Sequence, residues 1–388
     1  MYAWVIATPG LRDRNGNLKG TDFLHFYTLG SLAIEHRGEA LYDMNAQALV
    51  AARLTPAATG IRYLPLYPPQ VSILFAPFAY FSYSQALALW WIISALIYVV
   101  CCYSVWRECS NLSGYGRTVT LLAAAFPGLF HLIAWGQTSA LALACFTIAF
   151  LCFRKRQEFL AGLSLGLLIF KPQLALAAAI LFLLLGAWWV TAGAVASAAA
   201  EIAAGVLYYG KQPLLAWLST LWHVREMGYA LEPRPYQTHS LRTFWSMLIP
   251  WSSISLALYI ISAIVVLVWT ILVWKRSQSW RPRFSVLLLA TVLIAPHLTV
   301  YDLVILVPAF LLLADWLLSM KQTSATACIG ILLYLAYMLP LVGFLSRWTH
   351  VQLSVLAMTA LAYQIWRFVR SGNLPDDTVP IGARLAQA

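Results

Sequence analysis

Hydrophobic positions in this chain come in long runs, with little of the strict alternation that marks a strand. Apolar segments cover 85–106, 118–134, 137–153, 159–170, 174–188, 190–209, 251–274, 284–296, 302–320, 324–345 and 351–369. Runs of this length predict helices, and their number predicts an all-α polytopic membrane protein. Several are too short for a standard crossing: twelve helical residues reach about 18 Å, against a hydrocarbon core of about 30 Å. The pattern therefore predicts about eleven transmembrane or half-spanning helices. The short ones meet at polar junctions, "AWGQTS" (134–139), "FKPQ" (170–173) and "APHLTVYD" (295–302). Non-helical backbone at membrane depth is tolerated only inside protein or against a water-filled cavity, so the junctions predict a cavity open to one side of the bilayer.

Ahead of these runs, residues 22–36 read as an interfacial helix. Phe23, Phe26, Tyr27, Ala33 and Ile34 follow a period of about 3.6, while Asp22, His25 and His36 point elsewhere. Asp43 is a good N-cap for a second short helix, completing an interfacial pair. The prolines of "YLPLYPPQ" (63–70) return the chain to the membrane, and 71–83 reads as re-entrant or partly crossing. The opening "MYAWVIATPG" is too short to span and reads as the tail of a transmembrane helix whose beginning is absent, from a misplaced or truncated start. The expected organisation is one membrane domain over 1–388, with a first outer loop at 10–70, a second at 211–250 and a cytoplasmic tail at 370–388.

Composition agrees. Of the 388 residues 61% are hydrophobic and 10% charged, against about 25% charged in soluble domains, too few to cover a water-facing surface. The net charge of +11 lies in loops beside apolar segments, without the basic-aromatic patch of a nucleic-acid binder, so no nucleic-acid partner is expected. Loops 107–117, 154–158 and 275–283 and the tail fall on one side under alternating crossings. Their basic residues make that side cytoplasmic, beside anionic membrane lipid. Asp22, Gln137, Lys171, His239, His297 and Asp302 then all reach the outer face. The six cysteines lie in or next to apolar segments and read as small buried hydrophobes. No nucleotide-binding glycine pattern, serine-hydrolase elbow or zinc-protease motif is present, and no carboxylate cluster resembles a metal cage.

Asp22 admits two readings, a helix-capping carboxylate or a general base at the mouth of the cavity. His25, one turn on, either orients that base or is an idle interfacial histidine. At the Pro296 break, His297, Tyr301 and Asp302 either cap the next helix or face the cavity, His297 donating to an anionic ligand. Lys171, between two apolar runs, must snorkel, pair or face water, and there suits a phosphate. Gln137 either caps a helix or joins two. In the second outer loop His223, Arg225, Arg234, His239 and Arg242 are either solvated or help neutralise a phosphate. Glu201 is a lone acid inside 190–209, open to a packing or a proton-coupled role.

The ordered motifs "TDFLHFY", "ALYD", "LYPPQVSILFAPFA", "WGQTSALAL", "FKPQLAL", "THSL" and "PHLTVYDLVIL", over roughly 19–320, resemble the polyprenyl-phosphate-sugar-dependent glycosyltransferases of family 87. These are of the GT-C fold, and their best-known members are bacterial α-1,2-mannosyltransferases. The resemblance implies Asp22 as catalytic base on the first outer loop and His297 near the donor phosphate. It extends to His25, Tyr27, Tyr67, Gln137, Lys171, Gln173, His239, Tyr301 and Asp302 as substrate contacts within its motifs. The implied partners are a polyprenyl-phosphate sugar donor and a glycolipid, glycan or protein acceptor, at the periplasmic or exterior face of the cell membrane. No cofactor is implied, and metal dependence is left open. The departure is the missing first helix. Two rival readings share these features: a lipid-linked sugar flippase, which also uses broken helices and mid-membrane charges, and a non-catalytic envelope-assembly protein.

Overall fold

The computed structural model describes residues 2–224 and 234–372; Arg225 and the tail from 373 lie outside the described residues. Helices run in chain order as α1 Tyr2–Ile6, α2 Thr21–Ile34, α3 Met44–Leu54, α4 Gln70–Phe75, α5 Tyr83–Arg107, α6 Gly116–Ala125 and α7 Pro127–Trp135. There follow α8 Ser139–Arg154, α9 Glu158–Gly166, α10 Pro172–Leu184, α11 Trp188–Tyr209, α12 Gln212–Trp222 and α13 Leu241–Leu248. The last are α14 Ser252–Arg276, α15 Trp280–Ile294, α16 Val307–Leu318, α17 Ser324–Met338, α18 Ser346–Thr349 and α19 Leu353–Arg370. The described residues contain no strand beyond two isolated bridge pairs, Arg12 with Leu18 and Thr238 with Thr299.

Among the described residues five helical stretches are long and apolar enough to cross a membrane: 83–107, 188–209, 252–276, 300–318 and 324–349. A sixth arises if the bent pair 110–125 and 127–135 counts as one. Shorter apolar helices at 70–80, 139–154, 158–170 and 172–184 are the half-length elements expected. The protein is a polytopic all-helical membrane protein.

Where boundaries differ from the apolar runs, proline is the usual cause. The predicted segment 118–134 divides at Phe126, whose extended backbone (φ −65°, ψ 126°) is what the ring of Pro127 imposes on its predecessor. Segment 324–345 tightens into 3₁₀ turns at Leu339–Leu345, around Pro340. Asp43 caps α3 as read, accepting from the amides of Asn45 and Ala46.

The packing falls into two compact units, the chain passing between them within α5 and α10. The first comprises residues 1–100, 128–175 and 188–234. At its centre is α2, buried without a break from Phe23 to Ala33. Protein encloses that whole stretch, so His25, which the sequence set apart from the apolar positions, is buried with them. Phe26 stacks on Phe75 at 4.8 Å between centroids, and Phe23 meets Phe75, Phe78, Tyr83 and Trp90. Gly30 permits this closeness, because a Cβ there would sit 2.3 Å from the Phe75 carbonyl oxygen. The crossing of α9 and α11 rests on Gly162, Gly166 and Gly193. A Cβ on any of them would come within 2.0–2.2 Å of a carbonyl oxygen of the facing helix, the small-residue packing that brings membrane helices together.

The second unit comprises 101–127, 176–187 and the chain from Pro235. Its core helix is α15, buried along most of its length. Asp315 of α16, fully buried, accepts from Arg281 Nε at 2.5 Å and from the Asn111 amide at 2.7 Å. This ties α15 and α16 to the turn after α5.

Candidate active site

Asp22 stands in the first turn of α2, and local contacts fix where that turn begins. Gly20 is left-handed (φ +65°), and its missing Cβ would collide with Leu87. Its amide donates to the Ala134 carbonyl at 3.1 Å. The Tyr83 hydroxyl donates to the carbonyls of Lys19 and Gly20 at 2.7 and 2.9 Å, and the Tyr63 hydroxyl donates to the Thr21 carbonyl. Gly20 occupies the N-cap with no side-chain cap bond, so Asp22 is not the capping residue of this helix.

The "AWGQTS" junction passes directly over this turn. Gly136 ends α7 in a left-handed conformation (φ +69°), where a Cβ would lie 2.5 Å from that of Phe23. Trp90 Nε1 donates to its carbonyl at 2.9 Å. Gln137 therefore arrives beside Asp22, and its Nε2 donates to Asp22 Oδ2 at 2.5 Å. Gln137 Oε1 accepts from Lys171 Nζ at 3.1 Å, the Thr138 amide at 3.2 Å and the Tyr67 hydroxyl at 3.5 Å. Lys171 Nζ also donates to Ser139 Oγ at 3.1 Å. Lys171 lies between the 3₁₀ turn Leu167–Phe170 and α10 at φ −135°, ψ 70°, out of the helical region because Pro172 follows. Lys171 and Gln137 are buried, whereas Asp22 and Tyr67 are half-buried. The carboxylate, amide and ammonium, read separately along the chain, are one hydrogen-bonded group. An ammonium buried this way is tolerable because acceptors surround it.

His25 is buried on α2 with its ring 4.8 Å from Tyr63 and 5.7 Å from Tyr67. Desolvation pushes its pKa down to about 3, so the imidazole is neutral at physiological pH. Its Nε2 has no hydrogen-bond partner among the described residues. A neutral ring facing tyrosines supplies no charge to Asp22. The same burial, reinforced by the Asp22 charge, raises the Tyr63 phenol, which therefore stays protonated as a donor. Tyr27 is a structural link: its hydroxyl donates to the Phe81 carbonyl at 2.7 Å and its ring packs on Phe23 and Tyr83. Gln173 stands half-buried in the first turn of α10, outside the Asp22 group.

The remaining candidates belong to the second unit. His239 is buried, its Nδ1 bonded with Ser354 Oγ at 2.7 Å and its amide donating to the Leu298 carbonyl at 3.2 Å. Gln352 Nε2 donates to the carbonyls of Tyr236 and Thr238, and Arg242 donates to the Pro296 carbonyl at 3.0 Å. The "THSL" segment is thus laced to "APHLT". His297 is half-buried in the non-helical link 295–299, with Tyr301 half-buried beyond it. Asp302 accepts from the Thr299 amide at 3.3 Å, the capping role that its position allows. The structure thus joins Asp22, Gln137, Lys171 and Tyr67, and separately brings the His239 segment to that of His297.

Sequence reasoning passed over Ser139 and Tyr63. Ser139 closes "AWGQTS", and its place at the start of a helix, α8, was its only signal. Tyr63 had none beyond being aromatic. Among the described residues no cluster of three His, Cys, Asp or Glu side chains is arranged to hold a metal ion.

The model of glycosyltransferase family 87 matches the chain over residues 66–300, more than half its length. Tyr67, Gln137, Lys171, Gln173, His239 and His297 fall inside the match; Asp22 and His25 precede it, and Tyr301 and Asp302 lie just beyond. No curated protein and no solved structure matches the chain.

Proposed function

We propose that this chain, which belongs to glycosyltransferase family 87, moves a hexose, mannose in the first instance, from a polyprenyl-phosphate sugar to a hydroxyl acceptor at the outer face of the cell membrane. As a membrane glycosyltransferase it handles a donor and an acceptor. The absence of nucleotide-binding motifs from the sequence favours a lipid-phosphate donor. The observation that carries the reading is the Asp22 carboxylate, half-buried at the start of α2 with Oδ2 held by Gln137 at 2.5 Å. A fixed carboxylate of this kind suits a general base.

In the proposed step the acceptor oxygen attacks the anomeric carbon as its proton passes to Asp22. The bond from that carbon to the phosphate oxygen breaks, and the polyprenyl phosphate leaves with the electron pair. One displacement inverts the anomeric centre. His297, beside the donor phosphate by family resemblance, stabilises the departing charge, which counts for more where water is excluded. The acceptor is a glycolipid, glycan or protein hydroxyl, and basic loops on the opposite side set the orientation.

The test is transfer by purified protein from a panel of polyprenyl-phosphate sugars, with Asp22→Asn alongside. Removing a general base is expected to lower turnover by about 10²–10⁴-fold while donor lipid still binds. Full turnover by Asp22→Asn, or movement of intact donor across vesicles without transfer, would sink the reading.

A further inference from the structure

The amide of Gln137 has one arrangement that satisfies its surroundings. Its Oε1 faces three donors: Lys171 Nζ at 3.1 Å, the Thr138 amide at 3.2 Å and the Tyr67 hydroxyl at 3.5 Å. An ammonium and a backbone N–H can only donate. Turning the amide over would bring its NH₂ against them and its oxygen against the Asp22 carboxylate, acceptor against acceptor. The three donors therefore aim Nε2 at Asp22 Oδ2, where it sits at 2.5 Å. Ser139 Oγ, 3.1 Å from Nζ, holds the lysine in turn. Asp22, Gln137, Lys171 and Tyr67 come from four different breaks in the helices: the α2 start, the α7–α8 junction, the α10 start and the proline run before α4.

We propose that Gln137 is the positioning residue of Asp22, and that Lys171 acts on the reaction through Gln137 and not as a ligand of the donor phosphate. This rests on the reading of Asp22 as base. By holding Oδ2, the amide fixes the orientation of the Asp22 carboxylate relative to the acceptor hydroxyl. The lysine, donor-only and buried, keeps the amide from flipping. This assignment departs from the role in phosphate binding that the sequence suggested for Lys171.

The experiment is a double-mutant cycle with Gln137→Met and Lys171→Met, measured with a short-chain polyprenyl-phosphate mannose as donor. Thermal unfolding and gel filtration establish that each variant folds. Should Gln137→Met fail to fold, Gln137→Leu, which likewise has no amide to donate or accept, takes its place. Loss of a hydrogen bond to a charged group predicts a fall in kcat of about 10- to 100-fold for the Gln137 variant, with donor KM unchanged within about twofold. The double variant is expected to be no slower than the Gln137 variant alone, as for two residues acting as one unit. Multiplicative losses, or a Lys171 variant whose donor KM rises while kcat holds, would overturn the proposal in favour of phosphate binding. A second readout needs no turnover: modification of Asp22 by dicyclohexylcarbodiimide, followed by peptide mass spectrometry. Carbodiimides attack the protonated acid, so stripping the donors that favour the carboxylate is expected to speed labelling several-fold in both variants. Equal labelling rates would reject the network. An inactive parent protein with faster-labelling variants would instead reject the transferase reading and leave the network standing.

Discussion

Replacing Gly136 by alanine tests the idea that a backbone crossing, and no local motif, delivers Gln137 to Asp22. The left-handed conformation (φ +69°) costs an L-residue about 1–2 kcal/mol. The new Cβ would also lie 2.5 Å from the Phe23 Cβ, with the Phe23 Cα and Leu87 Cδ1 at 3.5 Å. Phe23 cannot swing aside, because its ring is packed by Phe75, Phe78 and Trp90. The α2 start and the junction must separate instead, and overpacking of this kind costs about 1–3 kcal/mol. The total loss is about 2–5 kcal/mol. A shift of about 1 Å would break the Gln137–Asp22 bond and cost about 10²-fold in transfer rate. Gly210 supplies the control: it is equally left-handed (φ +78°) with nothing within 4 Å of its Cβ position, so Gly210→Ala bears the conformational cost alone. Thermal unfolding in detergent, with initial rates of sugar transfer, separates the two. Equal midpoints for the two variants, or Gly136→Ala with parental activity, would refute the reasoning.

Other outcomes follow from the same contacts. Burial holds the folded pKa of His25 at about 3, below its ordinary value of 6.5. The unfolded chain therefore binds the proton first, and stability is complete above pH 6.5 and lost as pH falls towards 3, at about 1.4 kcal/mol per unit. His25→Phe is expected to flatten the dependence of the thermal midpoint between pH 7.5 and 5, and an unchanged slope would exclude His25 as its source. Asp315→Ala strands Arg281 and the Asn111 amide and is expected to cost about 3–5 kcal/mol, with Asp315→Asn costing less in a side-by-side melt. Gly162→Ala places a Cβ 2.0 Å from the Val190 carbonyl oxygen; separation of α9 from α11 should lower the midpoint and the monodisperse fraction on gel filtration.

Much of the helix inventory was readable along the chain. The cap at Asp43 and the interruption at Lys171 follow from rules that act over a few residues, a short carboxylate bonding the next amides or a proline restricting its predecessor. The break at Phe126, missed inside the run read over 118–134, obeys the same proline rule. The chemistry was readable as a set of polar residues too costly to leave at membrane depth without partners. Their roles were less so. His25, one turn from Asp22, was open to orienting it or to standing idle; its ring lies against those of Tyr63 and Tyr67, while Asp22 Oδ2 accepts from Gln137 Nε2.

The sequence by itself determined an all-helical membrane protein with interrupted half-length elements and polar residues at the interruptions, because length, apolar content and proline act locally. Only the tertiary structure decided that α2 is enclosed, and that Asp22, Gln137, Lys171 and Tyr67 form one group. The reason is physical. In a chain where most faces are apolar, periodicity cannot separate a side facing lipid from one facing protein, and hydrogen bonds between residues far apart in sequence exist only once glycines such as Gly20, Gly30 and Gly136 let the backbones close.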